Sequence, residues 1–167
     1  HLRLKVNASK SGIGRTWQRQ FLGFRITRKG EIEVAPDRLE RFKVRVRHLW
    51  DVRRSQSSQQ LRDSWQRYIR GWWNYFRLAE WRRPIFALEG WIRRHIRKCF
   101  WLRWHNWKGR RNALVRLGIR PWHARSANTS RGAWRMAGHP VLQQALSTLV
   151  HKFAYVFLIR LPFGVGA

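Results

Sequence analysis

Leu61-Arg62-Asp63-Ser64-Trp65-Gln66-Arg67-Tyr68-Ile69-Arg70-Gly71-Trp72-Trp73-Asn74-Tyr75-Phe76 decides the fold. Leu61, Trp65, Tyr68, Ile69, Trp72 and Phe76 recur at the three- and four-residue spacing that gathers side chains on one face of an α-helix. The spacing predicts a helix from about Ser58 to Ala79. Ser57 or Ser58 is its N-cap candidate, because a serine hydroxyl can accept from a free N–H of the first turn. Gly71 falls mid-helix, where glycine costs about 1 kcal/mol against alanine. Either another backbone approaches closely there or the glycine is simply tolerated.

The same period extends to both sides. Leu39, Phe42, Val46 and Leu49 share a face of a helix from Pro36 to about Trp50, with Arg38, Arg41, Lys43, Arg45 and Arg47 on the remainder. Pro36 presets φ for a first turn and Asp37 suits the positive end of the helix dipole. Arg82-Arg83-Pro84 breaks the second helix. A third runs from about Ile85 to His105, with Leu88, Trp91, Ile92, His95, Ile96 and Cys99 on one face and Arg93, Arg94, Arg97 and Lys98 on the other. Short linkers make these three helices an antiparallel bundle. Lys108 to Leu117 reads as a shorter basic helix ended by Gly118, Ile119 to Pro140 as loop, and Val141 to Tyr155 as a last helix.

Before Pro36 the period is two. Phe21 to Ile26 reads as a strand, Arg28-Lys29-Gly30 as a turn and Glu31 to Val34 as the returning strand. Leu2, Leu4 and Val6 also alternate, with a loop from Asn7 to Gly14. The expected fold is therefore mainly α. Residues 1–35 carry a short β-hairpin, 36–120 the antiparallel three-helix bundle, and 121–167 a basic extension of loop and helix.

Charge narrows the partner. The chain has 36 Lys+Arg against 8 Asp+Glu, a formal charge of +28. From Trp65 to Trp107, eight tryptophans alternate with ten Arg/Lys and only two carboxylates, Glu80 and Glu89. Beyond Glu89 there is no Asp or Glu, against 15 Lys/Arg. Fixed positive charge interleaved with flat rings suits a polyanion with exposed bases, which is nucleic acid. Anionic lipid is the rival polyanion. Hydrophobic content of 44% excludes a disordered basic tail. No export leader is visible and the run Phe153 to Ile159 is too short to span a bilayer, so no membrane partner is expected. The single cysteine, Cys99, excludes an internal disulfide and fits a reducing compartment, cytoplasm or organellar matrix. The chain opens on His1 rather than Met, as a processed chain or a fragment of a larger protein would.

Catalytic patterns are sparse. Two-metal nucleotidyl transfer needs clustered carboxylates, and the close pairs are Glu31/Glu33 and Asp37/Glu40, the first read as solvated charge on a surface hairpin. There is no Gly-rich phosphate loop ending in Lys-Ser/Thr. His95 and Cys99 share a helix face, but two ligands do not close a metal site, and a packed core pair is the better reading. No metal or other cofactor is expected in this chain. Trp65, Trp72 and Trp91 are expected in the core. Trp73, Trp81, Trp101, Trp104 and Trp107 are not equally accounted for by it, and some could stack on bases. The residues expected to contact RNA are Arg67, Arg70, Arg93, Arg94, Arg97, Lys98, Arg103, Lys108, Arg110 and Arg111.

Arg70-Gly71-Trp72-Trp73-Asn74-Tyr75-Phe76 resembles the Arg-Gly-Trp-x-Asn-Tyr-Phe signature of the maturase-specific domain, the thumb or X domain, of group II intron reverse transcriptases. Arg41 to Arg47 looks like that domain's first helix and Trp91 to Arg97 like its third. Arg131-Gly132-Ala133-Trp134-Arg135-Met136 is similar to a Gly-x-Trp-Arg segment near the family's C-terminal end. Leu4-Lys5-Val6-Asn7 with Lys10-Ser11 resembles the end of the polymerase palm. By that match Lys10 corresponds to a lysine that helps protonate pyrophosphate. Phe21-Leu22-Gly23-Phe24 is similar to the strand turn that grips the primer. The resemblance covers roughly residues 2 to 146 and implies binding of group II intron RNA, or other structured RNA, to promote splicing. It also implies a hold on the template–primer duplex in an intact parent. The family's Tyr-x-Asp-Asp strand is absent from the sequence, so no polymerase activity is expected of this chain alone, and Mg2+ is expected only in an intact polymerase. A polymerase completed in trans and a truncated, non-functional remnant of a mobile element are the alternatives. After Ser147 the sequence departs from the family's usual ending.

Overall fold

The computed structural model describes residues 14–126, 132–148 and 150. Lys10, Arg131, the alternation at Leu2, Leu4 and Val6, most of the Asn7 to Gly14 loop, and the end of the last expected helix with the Phe153 to Ile159 run lie outside the described residues.

A single 3-10 turn, Thr16–Gln18, leads into three short antiparallel strands in the order β1 (Gln20–Phe21), β2 (Phe24–Ile26) and β3 (Ile32–Val34). The one strand expected from Phe21 to Ile26 is split by a turn. Leu22 (φ 50°) and Gly23 (φ 82°) both take positive φ, and Phe21 faces Phe24 across them. Positive φ at both central positions matches the twist of a two-residue hairpin. Gly23 is also closely approached: a Cβ there would lie 3.2 Å from the Arg38 side chain. Between β2 and β3 the turn falls where expected, with Gly30 at φ 88°.

Seven helices follow among the described residues: α1 (Pro36–Leu49), α2 (Ser58–Phe76), α3 (Arg83–Arg103), α4 (Trp107–Arg116), α5 (Pro121–Ser126), α6 (Ala133–Met136) and α7 (Pro140–Ala145). Ser57 caps α2: its Oγ accepts from the Gln60 N–H at 3.1 Å, and the Gln60 side chain accepts from the Ser57 N–H at 2.9 Å. Asn106 caps α4 by accepting from the Gly109 N–H at 2.8 Å. Pro84 sits in the first turn of α3 rather than past the end of a helix. The expectation of loop from Ile119 to Pro140 is corrected by α5 and α6. Both are too short to carry a readable period and are held by packing on α4 and α3.

One core joins these elements. α1 contacts both α2 and α3. Phe42, Val46 and Leu49 of α1 meet Leu61, Trp65 and Ile69 of α2 and Ile92, Ile96 and Cys99 of α3 in one buried cluster, to which Met136, Leu142 and Leu146 also belong. The α2 stripe runs Leu61, Trp65, Ile69, Trp73 and Phe76. Trp73 thus takes the buried place expected of Trp72, which is half-buried at the edge of the core beside Phe42. Trp101 is also buried, and Trp91 only partly so. No heavy atom lies within 4 Å of where a Gly71 Cβ would stand, so that glycine is tolerated on an exposed face and no backbone approaches it.

The sheet is fastened to the end of α2. Tyr75 donates its hydroxyl to the Leu22 carbonyl at 2.7 Å, and Phe24 packs on Tyr75 and Phe76 with ring centroids 5.7 and 5.3 Å apart. The Ala35 N–H donates to the Gly23 carbonyl at 2.9 Å. The Glu80 and Trp81 N–H groups both donate to the Ile32 carbonyl, at 2.8 and 3.0 Å. Glu33 is only 8% exposed and accepts from Arg25 Nε at 2.7 Å across the β2–β3 pair. It is an internal strut of the sheet, which corrects its reading as solvated charge.

Candidate nucleic-acid interface

The ten arginines and lysines expected at an RNA surface separate into two groups. Arg93, Arg94, Arg97 and Arg103 of α3 and Arg110 of α4 are engaged inside the molecule. Arg93 pairs with Glu89 one turn before it. Arg94 Nε donates to the Trp134 carbonyl at 3.0 Å, and its guanidinium lies 4.5 Å from the centre of the Trp134 ring. Arg97 Nε donates to the Ala137 carbonyl at 2.6 Å. Arg103 reaches the Gln56 carbonyl at 2.8 Å, and Arg110 reaches the Trp101 carbonyl at 3.3 Å while lying over that indole. These carbonyls lie at the ends of α6 and α3 or in the linker before α2, where backbone carbonyls lack intrahelical partners. Burial, then the neighbouring Arg93 and Arg94 charges, lowers the pKa of Arg97.

The others stand more open. Arg67 and Arg70 are exposed and have no ion pair among the described residues. With Asn74 and Arg77 they form a stripe along the outer face of α2, three to four residues apart. Lys98, on α3, is half-buried. Lys108 is exposed, with Nζ 5.8 Å from the centre of the Trp107 ring, and Arg111 has its Nε buried without a hydrogen bond. Trp107 (57% exposed) and Trp122 (59%) present indoles on this α4–α5 side.

A cluster that sequence reasoning passed over lies between α1 and α2. Arg38, Arg41 and Arg45, with Phe42, form one wall, Tyr68, Trp72, Tyr75 and Phe76 the other, and Leu22 of the hairpin turn closes one end. The cavity is about 510 Å3. Asp37 is the acid beside it, 3.5 Å from Arg38 Nε and 4.0 Å from Arg41 Nε. Arg45 lies 6.0 Å from the Tyr68 ring centre and has no carboxylate partner among the described residues. Burial, opposed by the Arg45 charge, pushes the Tyr68 hydroxyl up to about 12, so it stays a neutral donor at any ordinary pH. The three arginines were legible as a helix face. What the sequence did not reveal is that α2 sets its aromatic edge against that face. Of the Phe21 to Phe24 turn that resembles a primer grip, Leu22 is the residue that lines the end of this cavity.

His95 and Cys99 are both buried. Trp91 and Trp134 flank the imidazole, with ring centroids 4.1 and 4.8 Å away. Burial, then the Lys98 and Arg47 charges, depresses the His95 pKa to about 4, and burial raises that of Cys99 to about 11. The pair is therefore neutral packing at pH 7. No helix among the described residues is long and apolar enough to cross a membrane.

No curated protein matches the chain. A family model does: residues 39–118 match the group II intron, maturase-specific domain. The match begins in α1, spans α2 and α3 with the Arg70 to Phe76 signature, and ends at the glycine that closes α4. The matched residues 39–118 contain both walls of the arginine–aromatic cavity except Arg38, and it is this part of the chain that is similar to a group II intron maturase-specific domain.

Proposed function

We propose that this chain binds structured RNA, group II intron RNA foremost, and helps it reach its splicing-active fold. The observation that carries the reading is the outer stripe of α2. Arg67, Arg70 and Arg77 stand in solvent inside the matched domain with no carboxylate partner among the described residues. Such charges meet phosphates and release counterions. The chemistry of splicing belongs to the RNA. The protein lowers repulsion between phosphates as helices of the intron close on one another.

A second reading is favoured by one further observation. The Phe21 to Phe24 turn is fastened by Tyr75 beside the α1–α2 cavity. In a complete reverse transcriptase the Phe21 to Phe24 turn, rather than the cavity beside it, would hold the primer strand of a template–primer duplex. With no Tyr-x-Asp-Asp sequence present, this chain alone is expected to give no primer extension.

The test is binding of a labelled group II intron and an unrelated structured RNA of equal length across a salt series. The intron should bind more tightly, with affinity falling steeply as salt rises. Arg67→Gln with Arg70→Gln should lower the slope of log affinity against log salt by about 1.8, two phosphate contacts' worth, and leave the thermal midpoint unchanged. An unaltered slope places the RNA elsewhere on the molecule.

A further inference from the structure

The cavity between α1 and α2 is shaped for something smaller than a duplex. Its volume of about 510 Å3 is that of a small-ligand pocket rather than a flat electrostatic face. Its chemistry is divided by wall. Arg38, Arg41 and Arg45 follow one another along a single face of α1, at spacings of three and four residues, so their heads follow a line. Facing them are three rings with polar tips or edges, Tyr68, Trp72 and Tyr75. The side chain of Arg41 is 72% exposed, and Asp37 is the one carboxylate shared by Arg38 and Arg41. Arg38 Nε comes within 3.5 Å of Asp37 yet makes no hydrogen bond.

A duplex offers phosphates, but the faces of its bases are already stacked on each other. It would use the α1 wall and leave the aromatic wall idle. An anionic headgroup would do the same. An unpaired nucleotide uses both, since its base has a free π-face and its flanking phosphates run in line.

We propose that this cavity receives an unpaired nucleotide of a structured RNA, its base against Tyr68, Trp72 and Tyr75 and its flanking phosphates on Arg38, Arg41 and Arg45. The assignment rests on the RNA-binding reading above and adds to it a site and a preference for interrupted over continuous helices.

The full chain is tested against three labelled RNAs: a continuous hairpin stem, the same stem with a one-nucleotide bulge, and that bulge made abasic. The abasic RNA keeps every phosphate and removes only the base. The bulged RNA should bind at least about tenfold more tightly than the other two, the lower part of what base–aromatic stacking supplies. Arg41→Gln with Arg45→Gln should abolish this preference and lower the salt slope on the bulged RNA by about 1.4, the single-strand value for two contacts. Both side chains are exposed, and an unchanged circular dichroism spectrum verifies the fold. Equal affinity for abasic and natural bulges overturns the proposal, as does a double variant that binds the bulged RNA like wild type. In either case wild-type binding that still weakens with salt leaves the RNA-binding reading standing. Wild-type chain that binds none of the three, nor the intron, overturns both.

Discussion

α1 and α3 carry arginines at the same helical spacing, yet use them in opposite ways. On α3 the guanidiniums of Arg94 and Arg97 are folded against the carbonyls of Trp134 and Ala137, forty residues further along the chain. On α1 those of Arg41 and Arg45 face an open cavity. The residue type does not decide between glue and ligand site. What packs over the helix does. α6 covers α3 and supplies carbonyls at the end of a single helical turn, groups that carry partial negative charge and lack intrahelical partners. On the cavity side the neighbour of α1 is α2, which sets its aromatic edge there.

The largest expected effect tests the glue side. Arg94→Gln with Arg97→Gln removes two charge-assisted hydrogen bonds and should lower unfolding stability by about 3 kcal/mol, read from urea denaturation. The salt slope for RNA should not move. A slope that falls while stability holds would reverse the roles assigned to α1 and α3.

A pH experiment sharpens the same contrast, because α6 also seals His95 between two tryptophans. The folded pKa is about 4, below the ordinary 6.5. As pH falls through 6.5 the unfolded chain takes up a proton that the folded chain refuses. Stability should therefore decline from about pH 6.5 to about 4 and level off below, by on the order of 3 kcal/mol. His95→Phe should remove this part of the dependence, so the difference between the two urea profiles across pH isolates it from the carboxylates.

The smallest effect concerns the hairpin at the cavity's end. Tyr75→Phe loses the hydrogen bond to the Leu22 carbonyl and should cost about 1 kcal/mol. Hydrogen exchange should rise first in Phe21 to Phe24. Exchange unchanged there would show that Phe24 and Phe76 suffice to hold the turn.

Periodicity alone made α1, α2 and α3 legible to within a few residues, because each is long and amphipathic. It misplaced tryptophans: Trp73 and Trp101 are buried where Trp72 and Trp91 were expected to be. With Trp72 and Trp73 adjacent, either continues the stripe from Ile69, and only the packed neighbours choose between them. α5 and α6 escaped because six and four residues are too few to display a period. The hairpin was read with one strand too few, since a Leu-Gly turn needs positive φ at leucine, which sequence gives no reason to expect. For the site, the basic faces were visible but their destinations were not. That Arg97 ends on Ala137, or that Arg41 looks across at Trp72, is a relation between segments far apart in the chain.

Cys99 has a use of its own. It is the single thiol of the chain, 2% exposed, in the layer where α1, α2 and α3 meet. An alkylating reagent can reach it only when that layer parts, and burial holds the sulfur protonated until then. Its modification rate, divided by that of the unfolded chain, is therefore the fraction of molecules open at any instant. The protein carries a built-in stopwatch for its own opening, and adding RNA should slow it by the factor through which binding favours the closed form.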